Sequence, residues 1–456
     1  MKTLLLLALL AAAPAAQDAP PANEAVASRL AAYMDAMADA RGFTGSVLVA
    51  RDGAPLLRKS YGWASPELRV PNGPETRFRI GSTTKPMTAL AILLLRDRGQ
   101  LELDDPIGRH LKDAPDAWNG VTIRHLLTHT SGIPSYTSLP DYRDRMREES
   151  TVAKMIARFR DLPLEFPPGE RFAYNNSGFL LLGALIEEIS GRPYERFLGE
   201  EVLAPLGLAA TGYDHPEEIV PNRAQGLRMK PDGSLAPAAF LDMSQPFSAG
   251  ALYSTVDDLA RLDAALRDGK LLSAESHAEM TRAHSQNYGL GWFVGERDGR
   301  RRIGHGGAIN GFSSAFDRYP DEKLCVVVLS NRENTNVDEI ATRLADIAFG
   351  KAVEPPTRRA EIAVAPEVLD RYVGRYRLRP DMVFEVRREG DGLVGEPERQ
   401  GPAPLFAESP TVFYPKVVDA TIEFVVEGDG PASSLILRQG GRKIRAPRID
   451  HQEKTP

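Results

Sequence analysis

The chain reads as an α+β protein, an antiparallel sheet flanked by helices, with a mainly helical region inserted and a small C-terminal antiparallel β-barrel or sandwich behind it. Three observations predict this. Two β-rich runs lie early, Gly45 to Ala50 and Pro55 to Tyr61, split by the hairpin signal Asp52-Gly53. Strand-like runs return late and close together, at Tyr288 to Gly295, Arg301 to Gly304, Phe312 to Tyr319 and Lys323 to Leu329. Beyond Glu354-Pro355-Pro356, short alternating segments without a helical period occupy the rest of the chain.

The elements follow in order. Residues Ala25 to Asp39 place Ala27, Leu30, Ala31, Met34 and Met37 on one helical face. A second helix opens after Ser82, runs through Leu90 to Leu95 and stops at Gly99; it is apolar nearly all round, which predicts full burial. From about Leu101 to Phe240, helical segments alternate with Pro- and Gly-bearing loops: Val121 to Thr128, Val152 to Phe159, Gly178 to Ile189 and Tyr194 to Glu201. A helix capped at Thr255 and a terminal helix at Val337 to Ala348 complete the main domain. The later runs Tyr372 to Leu378, Met382 to Arg388, Thr411 to Tyr414, Ala420 to Val426 and Ser434 to Arg438 supply the barrel. The expected divisions are a leader and tail at 1–22, a main domain at 23–352, a linker at 353–364 and the C-terminal domain at 365–450.

Lys2, an apolar run from Leu4 to Leu10 and the small-residue exit Ala11 to Ala16 spell a secretory signal peptide. That run is shorter than the roughly 20 residues a membrane span needs. A periplasmic or secreted protein, without an integral membrane segment after cleavage, is the expectation. The net charge of −6 and the lack of a long basic run argue against nucleic acid as a partner. Cys325 is the single cysteine and sits in an apolar strand-like run, so it reads as a core residue rather than a nucleophile. His125 and His129 have i, i+4 spacing but no glutamate after His125; a structural role is preferred, and no metal or cofactor is expected.

The chemistry-bearing stretch is Gly81-Ser82-Thr83-Thr84-Lys85. On a helix, positions i and i+3 share a face, so the Ser82 hydroxyl and the Lys85 amine become neighbours. A lysine at the head of so apolar a helix is unusual. Alone the motif is short, and Ser82 as a cap with Lys85 solvated is the plainer reading. Two further stretches change that balance: Tyr174-Asn175-Asn176 and His305-Gly306-Gly307-Ala308.

Ser-x-x-Lys, Tyr-x-Asn and His-x-Gly in this order resemble the serine hydrolases related to class C β-lactamases and D-alanyl-D-alanine peptidases. The flanks Thr122 to Gly132 and Tyr288 to Trp292 also look like that family, over about Ala25 to Gly350. The resemblance implies a β-lactamase/penicillin-binding-protein-like domain in which Ser82 attacks a carbonyl to form an acyl-enzyme. It implies Lys85 and Tyr174 jointly as acid and base, and Asn176 bonding both Lys85 and the substrate amide. It implies an oxyanion hole from the backbone N–H groups of Ser82 and Ala308, with Gly306 and Gly307 permitting close approach of substrate. His305 stands where the β-lactamases usually carry lysine, so a weaker pull on a substrate carboxylate is expected. A peptidase or esterase acting on a small-molecule or peptide substrate is therefore preferred. A class C-like β-lactamase and a non-turnover penicillin-binding or sensor protein are the alternatives. The C-terminal region resembles the lipocalin-like domain appended to many family members.

Overall fold

Two layers of helix enclose a six-stranded antiparallel sheet. The computed structural model describes residues 23–398, 401–439 and 442–449; the leader expected at 1–22 lies outside them. The first two strands, β1 (Gly45–Arg51) and β2 (Ala54–Tyr61), form the hairpin that Asp52-Gly53 signals. The late strands are β3 (Phe293–Arg297), β4 (Arg300–Ile309), β5 (Phe312–Tyr319) and β6 (Leu324–Ser330). The order across the sheet is β3-β4-β5-β6-β1-β2. The central strand β6 is buried at all seven positions, which accounts for its unbroken apolar run.

The alternation of β1 divides the core. Val47 and Val49 pack with α1 (Asn23–Arg41) and α5 (Val337–Ala348) on one face. Leu48 and Ala50 face the larger core around α2 (Lys85–Asp97), α3 (Asn176–Ser190) and α4 (Val256–Arg267). Helix α2 is buried at every position from Lys85 to Leu95, as its all-round apolarity predicts. Cys325 is buried in β6, and burial raises its thiol pKa well above the ordinary value. Among the described residues, no helix is long and apolar enough to cross a membrane.

Three expectations need correction. The strand expected at Tyr288 to Gly295 begins only at Phe293. Gly291 (φ 78°) turns the chain there, at a point where a Cβ would lie 2.6 Å from Ala89 of α2. The strand at Arg301 to Gly304 does not end before the His305 motif but runs through it to Ile309. The stretch 204–240 carries no α-helix, only turns and the short strands Gly212–Tyr213, Leu227–Met229 and Leu235–Pro237. Its prolines at 205, 216, 221, 231 and 237 break any helical period.

Residues 351–365 have no regular structure. Eight strands then close into an antiparallel barrel: β7 (Gly374–Arg379), β8 (Met382–Glu389), β9 (Gly392–Pro397), β10 (Ala403–Ala407), β11 (Val412–Pro415), β12 (Ala420–Val425), β13 (Ser434–Gln439) and β14 (Arg442–Ile449). Pairing of β7 with β14 closes it and removes both free edges.

Candidate active site

Ser82 sits in a 3-10 turn, Gly81–Thr84, that runs directly into α2. The turn is locked to β5. The Ser314 hydroxyl donates to the Ile80 carbonyl at 2.8 Å, and Thr83 Oγ1 lies 2.9 Å from Ser314 Oγ. On its other side the turn meets β4. A Cβ on Gly307 would stand 2.0 Å from the Ile80 carbonyl oxygen and 3.0 Å from the Ser82 nitrogen. A Cβ on Gly81 would lie 3.1 Å from the Ala308 nitrogen. The protein's own turn thus demands a glycine at 307. These contacts bring the backbone nitrogens of Ser82 and Ala308 to one place.

Lys85 is fully buried, and its Nζ has three partners: Ser82 Oγ at 3.0 Å, Asn176 Oδ1 at 2.9 Å and the Ala249 carbonyl at 2.9 Å. Burial lowers its pKa well below the ordinary lysine value. No carboxylate among the described residues pairs with it. The rings of Tyr174 and Phe179, 4.9 and 5.4 Å from Nζ, would favour a cation. That attraction is worth only about 0.5–2 kcal/mol, and desolvation outweighs it. A neutral amine has two N–H groups and one lone pair. Asn176 Oδ1 and the Ala249 carbonyl can only accept, so they take the two hydrogens. The lone pair is then left for the Ser82 hydroxyl.

The amide of Asn176 is held in that orientation, its Nδ2 donating to Thr137 Oγ1 at 3.0 Å. The N-cap of α3 is Asn175, whose Oδ1 accepts from the Gly178 N–H at 2.8 Å. Asn176 is the first helical residue, one step further round the helix, and its side chain reaches Lys85. The Tyr174 phenol is hydrogen-bonded to the Ser82 side chain, and burial raises its pKa. The residue as a whole is 38% exposed and lines the cleft.

His305 is buried, and its Nδ1 lies 2.6 Å from the Gly306 carbonyl. A carbonyl only accepts, so Nδ1 carries the proton and Nε2 accepts from Tyr288 Oη at 3.1 Å. Burial, with a smaller contribution from Lys85, lowers the His305 pKa to about 3. This histidine is neutral across the physiological range and brings no positive charge to the cleft.

His129 is a positioning residue that its spacing from His125 did not reveal. In a left-handed conformation (φ 57°), it accepts the Ala173 N–H on its carbonyl at 2.9 Å and the Asn175 N–H on Nδ1 at 3.1 Å. The two bonds clamp the backbone on either side of Tyr174, and the His129 ring packs 4.3 Å from the Tyr174 ring. The sequence signal, an apolar helix ending in Thr128-His129-Thr130, gives no hint of that clamp. His125 instead completes a capping box with Thr122. Among the described residues no group of three or more His, Cys, Asp or Glu side chains is placed to hold a metal.

The cleft around Ser82, Tyr174, His305, Gly307 and Ala308 belongs to a cavity of about 1180 Å³ that also reaches the barrel. Pairing of β3 with β4 stops at Gly304, so the outer edge of β4 from His305 to Ile309 is not paired with β3.

A model of the β-lactamase family matches residues 28–350, and one for a domain of unknown function, DUF3471, matches residues 358–453. Penicillin-binding protein 4* of Bacillus subtilis (strain 168) is 30% identical over 436 residues, covering 89% of this chain and 95% of its own length. The structure of the octameric penicillin-binding protein homologue from Pyrococcus abyssi is 27% identical with a TM-score of 0.64, covering 92% of this chain and 99% of that one. The D-amino acid amidase from Ochrobactrum anthropi SV3, complexed with D-phenylalanine, is 25% identical with a TM-score of 0.63, covering 72% and 99%.

Proposed function

The chain belongs to the β-lactamase family of serine hydrolases, and from that premise we propose that it cleaves an amide or ester bond through a Ser82 acyl-enzyme. The observation that carries the reading is the Lys85 amine, buried, without a carboxylate and with both hydrogens committed to carbonyl acceptors. Its lone pair takes the Ser82 proton as Oγ attacks. The N–H groups of Ser82 and Ala308 receive the developing oxyanion. Tyr174, bonded to Ser82, gives its phenol proton to the leaving group as that bond breaks and is reprotonated by the Lys85 ammonium; water then hydrolyses the Ser82 ester and restores the hydroxyl. An extended acyl portion adds to the free edge of β4 as a further strand, which favours peptide-like substrates.

Peptides and amides of D-amino acids, or related esters, are the substrate class we favour, because a D-amino acid amidase is among the similar structures. The neutral His305 makes a β-lactam carboxylate a weaker fit. A panel of D-amino acid amides, esters and a chromogenic cephalosporin tests this on wild type and Ser82→Ala. Turnover by wild type alone is expected, greatest on the D-configured amides or esters. Equal turnover by Ser82→Ala would sink the reading. We further read the protein as exported, from the basic start at Lys2 and the apolar and small-residue run from Leu4 to Ala16; a mature chain that retains Met1 would contradict this.

The pH dependence follows from the same groups. Lys85 acts as a base only when neutral, so kcat/KM falls as pH drops through its lowered pKa and is flat above it. His305, with a pKa of about 3, adds no limb near neutrality. The acid limb should therefore persist in His305→Gln, measured as kcat/KM against pH. Its disappearance there would reassign the base.

A further inference from the structure

The barrel is filled at one level and open at another. Because strand side chains alternate, residues two apart point the same way. Tyr376 and Leu378 on β7, Val386 and Phe384 on β8, and Phe424 and Ile422 on β12 are such pairs. All six belong to the barrel's core, where the rings of Tyr372 and Phe424 stack at 4.4 Å and 7°. The second member of each pair also lines the 1180 Å³ cavity that contains Ser82, and the first does not. Met382 and Leu437, both half-buried, line it as well. One end of the barrel is thus plugged by aromatic rings, and the other is an apolar cup that shares its space with the catalytic cleft.

Polar side chains of the main domain share the lining. Arg302, bonded to Asp317 at 2.7 Å, and Asp338, whose Oδ1 would lie 3.2 Å from a Cβ on Gly306, both border the cavity. The volume exceeds the roughly 300–1,000 Å³ of an ordinary small-ligand site. A ligand that fills it meets apolar walls in the barrel and polar groups such as Arg302 and Asp338 in the main domain.

We propose that the open end of the barrel binds a long alkyl tail of the acyl group whose carbonyl is attacked by Ser82. This rests on the reading of Ser82 as the nucleophile and adds a substrate class to it: amides or esters of long-chain acyl groups. No separate chemistry is required, because the barrel contributes binding alone. The tail's transfer from water into the cup lowers the barrier for long substrates and leaves short ones unaffected.

The test uses the full chain and p-nitrophenyl esters from acetate to dodecanoate. In wild type, kcat/KM should rise along the series, by roughly fourfold for each methylene that enters the cup. Leu437→Asp and Met382→Asp, made separately, should each abolish that gain, and a thermal melt of each reports that it is folded. In Ser82→Ala, isothermal titration with dodecanoate should show binding that is lost when Leu437→Asp is added. Turnover of the acetate ester with no gain along the series would overturn this proposal alone. So would a gain that survives in both charged variants. Absence of turnover on every ester would overturn the reading of Ser82, and this proposal with it.

Discussion

Lys85→Met will lower kcat/KM by about 10³- to 10⁴-fold, the upper range for loss of a general base, with KM little changed. Methionine fills a similar volume but offers no lone pair to the Ser82 hydroxyl. The carbonyls of Asn176 and Ala249 lose their donor, so some loss of stability accompanies the change. The dependence of stability on pH separates the two effects. The folded-state pKa of Lys85 lies below its unfolded value near ~10.4. Between those two values the unfolded chain binds a proton that the folded chain does not, so the stability of the wild type rises with pH across that window. The variant lacks this contribution. Stability of the wild type minus that of Lys85→Met, from denaturant titrations at several pH values, should increase with pH. A constant difference would mean that Lys85 is charged in the folded protein and does not serve as the base.

Gly307→Ala will damage the fold and the catalytic turn together. The new Cβ would stand 2.0 Å from the Ile80 carbonyl oxygen, 2.5 Å from Ser314 Oγ and 3.0 Å from the Ser82 nitrogen. Two of these atoms are backbone, so β4 and the Ser82 turn must part. That displaces the Ala308 N–H from the Ser82 N–H. Loss of one oxyanion donor costs on the order of 10²- to 10³-fold in kcat, and overpacking costs about 1–3 kcal/mol of stability. Gly295→Ala is the control. It lies on the neighbouring strand β3, and a Cβ there meets nothing within 4 Å. Measured kcat and thermal midpoint should fall together at position 307 and stay at wild type at 295. Full kcat in Gly307→Ala would remove the Ala308 N–H from the mechanism.

Much of this arrangement was legible in the sequence, for physical reasons. Val337 to Ala348 is helical over just the residues its apolar period marks, and the run around Cys325 is the central strand. Both depend on burial patterns that local sequence records. The Ser82–Lys85 contact follows from helical spacing, although the serine occupies a 3-10 turn. What local sequence does not record is which distant group meets which. The Ala249 carbonyl completes the Lys85 environment, yet any residue supplies a carbonyl. His129 clamps the backbone around Tyr174 through a left-handed turn that no periodicity signals. Asn175 and Asn176 are adjacent and chemically identical, and only the helix start decides which one caps and which reaches Lys85. The meeting of the barrel's open end with the cleft is a tertiary fact, set by how the barrel docks on the main domain.

The central claim is that Ser82 becomes acylated. The most direct measurement is mass spectrometry of the tryptic fragment that holds it, after brief incubation with a fluorophosphonate or a slowly deacylating ester. Cleavage after Arg79 and Arg96, with the Lys85–Pro86 bond resistant to trypsin, isolates residues 80–96 in one peptide. A single adduct on that peptide, placed on Ser82 by fragmentation and lost in both Ser82→Ala and Lys85→Met, is the predicted result. An unmodified 80–96 peptide from protein that is turning over substrate would contradict the account.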